Sequence, residues 1–122
     1  MTFKALGLAG IAVAITAIPA FGHHSFAMFD GNKTVTLEGT IKEFLWTNPH
    51  AWVVMTVPDA QGQARQWSLE LPSPSGLARK GWLPKTLTPG MKVSTVANPL
   101  KDGNTGGSLV TLTLPDGKTL SP

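Results

Sequence analysis

The chemistry open to this chain rests mainly on its three histidines. His23 and His24 are adjacent, and His50 follows the Asn48-Pro49 turn. Neutral imidazole is the commonest side-chain ligand for transition metals, and copper suits a nitrogen-rich donor set. The sequence has no cysteine, which rules out thiolate sites and disulfides. What the histidine pair can do depends on where the mature chain starts. If His23 is residue one, its α-amine and ring nitrogen chelate one ion together. A second imidazole from His24 or His50 then completes a T-shaped site. If Phe21 is residue one, Phe21-Gly22-His23 puts histidine third, and amine, two amides and imidazole form a square-planar set for Cu(II) or Ni(II). The competing reading leaves His23 and His24 as solvated residues at a processing site. For His50, it is a strand-start residue bonded to backbone near the turn.

Other constellations are weaker. The serines lack a nucleophile-elbow context, and no phosphate loop, dinucleotide fingerprint or zinc motif is present. Glu38 and Glu70 fall on strand faces that read as solvent-exposed, which argues against paired catalytic carboxylates. Four tryptophans are many for this length. Trp46, Trp52, Trp67 and Trp82 serve either as core or as an aromatic binding face. Trp46 and Trp52 flank the Asn48-Pro49-His50 turn. With Asn48 and His50, they are the candidates to line a groove for a peptide, a glycan or a membrane-protein partner.

The N-terminus sets the expected compartment. Lys4 supplies a positive start, and Ala5 to Ile18 is an uncharged apolar run of about 14 residues, the length of a signal-peptide core. A membrane-spanning helix needs about 20, so no stable span is expected after processing. Pro19 breaks the helix, and Ala20 and Gly22 are small enough to precede the cut. The expected division is therefore a signal peptide over 1–22 and one domain over 23–122, in a periplasmic or secreted protein. Lysines and arginines are scattered among acids at a formal net charge of +3, which gives no basic stripe for nucleic acid.

Prolines and glycines cut the remainder into short segments, the pattern of a small sandwich or barrel. In Lys33 to Trp46, Val35, Leu37 and Ile41 share a face. The phase flips after Glu43, so that Phe44 and Trp46 become the apolar set. That flip predicts a bulge in one long bent strand, and Gly39 fits the bend. Further strands are predicted over His50 to Val57, Ala64 to Leu71, Met91 to Ala97 and Ser108 to Leu114, with a short last one over Lys118 to Leu120. Ser73-Pro74 caps a short helix over Ser75 to Lys80 that stops at Gly81. Leu87 to Gly90 is a turn of type II character. Three strands, a helix and two or three strands predict an all-β fold. It would be a small OB-like barrel of five to six strands with one short helix, preceded by the signal-peptide helix. An open β-roll is the runner-up.

Three segments carry a resemblance: His23 to Asp30, Leu37-Glu38-Gly39-Thr40, and Trp46 to Trp52. With Trp67, Glu70, Pro89-Gly90 and Asn98-Pro99, they make the chain similar to a family of small secreted bacterial proteins that is catalogued as a domain of unknown function. The resemblance implies export and one domain but no activity. The leading expectation is thus a non-enzymatic metal-binding protein, with copper first and nickel or zinc second. It would use His23, His24 and His50 for sequestration or delivery, with the ion or a periplasmic or inner-membrane protein as partner. The second expectation is an interaction module using Trp46, Asn48, His50 and Trp52.

Overall fold

The structure, a computed structural model, describes residues 26–122. The signal peptide expected over 1–22, and His23 and His24 with it, lie outside the described residues. After a 3₁₀ turn at Phe26–Met28 come β1 (Val35–Leu45), β2 (Trp52–Pro58), β3 (Ala64–Glu70), α1 (Pro74–Arg79), β4 (Lys92–Pro99), β5 (Gly106–Thr113) and β6 (Thr119–Leu120). The hydrogen-bonded order is β3-β2-β1-β4-β5-β6, and a further β3–β5 pairing closes the first five strands into a barrel. That closing pair is parallel, and the others are antiparallel. This is the expected OB-like barrel rather than the open roll.

Closure depends on the bend in β1. Its first half pairs with β4 from Val35 to Thr40, and its second half pairs with β2 from Thr40 to Leu45. The register with β2 shifts between Ile41 and Glu43, where the hydrophobic phase changes. Leu37 and Ile41 face the core before the shift, and Phe44 and Trp46 pack on it afterwards. Gly39 sits where the bent strand comes closest to β2, and a Cβ there would run into the Thr56 carbonyl oxygen. Glycine is the residue that permits this approach.

Between β3 and β4, local capping chemistry produces α1. Ser73 is extended at the N-cap, and its side chain accepts a bond from the Gly76 amide at 3.3 Å. Pro74 occupies the first turn, where a missing N–H costs nothing. At the other end Gly81 takes φ +88°, its N–H reaches Ala78 O, and the Trp82 N–H reaches Leu77 O. This paired closure is a Schellman motif. It turns Trp82 back onto Leu77, and both are buried in the core with Leu87. The Trp82 indole N–H donates to Ser121 O at 3.1 Å, which holds the C-terminal tail against the barrel. Trp82, 1% exposed, therefore takes the core alternative rather than a binding face.

Candidate functional site

His50 is the one expected metal ligand among the described residues. It lies just before β2 rather than inside it. The connection from β1 turns through a cis Asn48–Pro49 bond. The Thr47 hydroxyl donates to His50 O at 2.8 Å, across the turn. Beyond β2 and β3 the ladder continues, with the Leu71 N–H on Ala51 O and the Ala51 N–H on Pro72 O. This extension carries His50 over the end of β3. Its Nδ1 lies 2.9 Å from Leu71 O and 3.3 Å from Glu70 Oε1. A carbonyl only accepts, so Nδ1 carries a proton, and in the neutral ring Nε2 holds the lone pair. The sequence-level alternative, a histidine bonded to backbone near the turn, is therefore part of the geometry.

Glu70 corrects the sequence reading. Its place in the alternation Trp67, Leu69, Leu71 put it on a solvent-exposed face, yet its side chain is only 8% exposed. The face is the outer one, as expected, because Leu69 and Leu71 point into the core. Closure changes what that face meets. Glu70 pairs with Trp52 on β2 and with Ser108 on β5, and His50 covers it from the loop. Oε2 is buried and has no hydrogen-bond partner among the described residues. Its neighbour Trp52, directly opposite in an antiparallel pair, gave a signal in sequence only to a reader who already knew the register. Glu38 is exposed, as read.

The groove expected around the turn is divided by the strand alternation. Trp46 packs on the core, with its ring 5.7 Å from Phe44 in an edge-on arrangement. Trp52 points to the outer face beside Glu70 and is half-buried. Asn48 is exposed at the tip of the turn. Trp46 and Trp52 therefore do not line one groove, because the residues pairing across β1 and β2 at that end are Leu45 and Trp52, one position away from Trp46. A cleft of about 430 Å³ does exist on the other side of the turn. It runs from Pro49 and His50 past Glu70 and Ser108 to Pro122. A larger cleft of about 730 Å³ opens elsewhere, beside Trp67, Asp59 and Arg65. It holds neither His50 nor Glu70. There Asp59 accepts from the Gln63 and Gln61 amides and from Arg65 Nε. The Gln63 amide first, then the guanidinium, hold its pKa below the usual value of 3.8.

The described chain begins beside the end of β4. Phe29 bridges to Leu100, and Lys101 N–H donates to Met28 O at 3.0 Å. The incoming segment thus lies beside the end of β4, with the start of β5 between it and β3. Met28 is exposed. Among the described residues no three His, Cys, Asp or Glu side chains gather into a metal cluster. No helix among them is long and apolar enough to cross a membrane. A family model described as a family of unknown function, DUF6152, matches residues 11–109. No curated protein and no solved structure matches the chain.

Proposed function

The chain belongs to that family of unknown function, and we propose that it is an exported, non-enzymatic metal-binding protein that sequesters or delivers one ion. Copper is the first choice, and nickel or zinc the second. His23 is the primary ligand, with His24 and His50 as partners. The observation that supports the reading is the His50 ring, held in place by its Nδ1 contact with Leu71 O at 2.9 Å. Nitrogen donors from imidazole and amine favour copper over harder ions.

The test is a Cu(II) titration with intact-mass analysis on natively exported protein. The expected result is a one-to-one complex of sub-micromolar affinity. It is abolished by His23→Ala or by one extra residue ahead of the mature N-terminus, and weakened by His50→Ala. Binding indifferent to all three changes refutes the proposal. A binding module at the turn is the second reading, supported by the cleft at its His50 edge. That reading requires loss of partner binding on Trp52→Ala and tolerance of the N-terminal extension.

A further inference from the structure

The barrel wall is open where the first half of β1 parts from the β2–β3 hairpin. β1 pairs with β4 from Val35 to Thr40 but meets β2 only from Thr40 onward. β3 meets β5 only from Ser68 onward. The cleft of about 730 Å³ occupies this gap, with Leu37 and Val57 of the core in its lining. Arg65 and Trp67 share the face that Leu69 turns to the core, and they carry that face past the packed interior. Trp67 is half-buried there. The Arg65 guanidinium is clasped at one edge, its Nε donating to Asp59 Oδ2 at 3.0 Å. Its Nη groups make no hydrogen bond among the described residues. Asp59 accepts in turn from the Gln61 and Gln63 amides at 2.9 Å each, so the hairpin loop fixes the carboxylate that orients Arg65.

The lining is amphipathic. Trp67 supplies an aromatic wall, Arg65 an oriented donor, Glu38 a carboxylate, and Thr36 and Thr105 hydroxyls. An apolar lining with a few placed polar groups is the usual form of a small-ligand cleft. A second cleft of about 400 Å³ shares Glu38 and Pro58 with the first and continues past Thr40 to Lys92 and Ser94. Along the two together, Glu38 and Asp59 balance Arg65 and Lys92, so charge favours neither an anion nor a cation. A wholly apolar ligand would strip water from these groups and give them no partner. A short chain of sugar rings has the matching chemistry: C–H faces for the indole, and edge hydroxyls that both donate and accept. We propose that the joined clefts bind a neutral oligosaccharide, one ring stacked on Trp67 and its hydroxyls bonded to Arg65 and Glu38. Neither His50 nor the Asn48-Pro49 turn lines these clefts, so the proposal is independent of the metal reading.

Isothermal titration of the purified protein with cellotetraose, maltotetraose and chitotetraose tests the proposal, with tryptophan fluorescence as a second readout. At least one of the three binds saturably at a one-to-one ratio. Arg65→Met weakens that binding about tenfold, the equivalent of about 1.4 kcal/mol. Trp67→Phe keeps an aromatic ring in the wall but reduces the stacking surface, and it weakens binding by a similar factor. Trp67 also packs on the core, so a misfolded Trp67 variant is uninformative by itself. Arg65, with its side chain 58% exposed, then carries the test, because its replacement leaves the core intact. Binding of none of the three sugars, or binding unchanged in folded Arg65→Met, overturns the proposal. Tighter binding of the anionic tetragalacturonate than of any neutral tetrasaccharide overturns it as well.

Discussion

Replacing Gly39 with alanine tests whether barrel closure rests on one close approach. A Cβ at this position meets the Thr56 carbonyl oxygen, with Val57 Cγ2 at 3.0 Å and the Met55 Cε at 3.1 Å behind it. The two side-chain atoms can rotate away, but the carbonyl is fixed in the β1–β2 ladder, where Thr40 pairs with Thr56. Relief therefore requires the strands to separate at the bend. Overpacking a well-filled site costs about 1–3 kcal/mol, and an immovable backbone atom puts this case near the upper end. Alanine recovers about 0.5–1 kcal/mol because it loses less backbone entropy than glycine. The net loss is about 2 kcal/mol. For a domain of roughly a hundred residues, that is a fall in melting temperature of roughly 8–16 °C. Thermal unfolding followed by far-UV circular dichroism measures it. Gly31→Ala is the control, since its added Cβ meets nothing within 4 Å. An unchanged Gly39→Ala melting temperature, or an equal fall in the control, would refute the reasoning.

Three further outcomes follow from the same contacts. Trp82→Ala empties a buried site beside Leu77 and Phe44 and frees the Ser121 carbonyl, so denaturant unfolding should show a loss of about 3–5 kcal/mol. Ser73→Ala removes the α1 cap and should cost about 1 kcal/mol by the same measurement, with a cost near zero counting against the capping assignment. Asp59 has its folded pKa lowered by the Gln63 amide and Arg65. Its contribution to stability is present above the ordinary carboxylate pKa and is lost as pH falls through the depressed value. Asp59→Asn should therefore lower the melting temperature at neutral pH and narrow its gap to the wild type in acid, and a pH-independent gap removes Asp59 as the cause.

The features legible in the sequence are those set within a few residues of chain. The switch of apolar phase after Glu43 announced the bulge in β1, because side chains alternate faces with every residue and an inserted residue must reverse them. Ser73-Pro74 and Gly81 bracketed α1, because caps satisfy neighbouring backbone groups. The order of strands and helix then left few barrels to choose from. Tertiary structure decided what lies against each face. Glu70 read as solvated because alternation reports the face and not its covering. The β3–β5 pairing and the His50 loop, which enclose it, join residues far apart in sequence. Trp46 and Trp52 read as neighbours around one turn, yet strand register sends one to the core and the other to the outer face. The sequence by itself determined the elements and their bends. Which polar groups are buried, and which imidazole nitrogen faces a carboxylate, was decided by non-local pairing that no local pattern encodes.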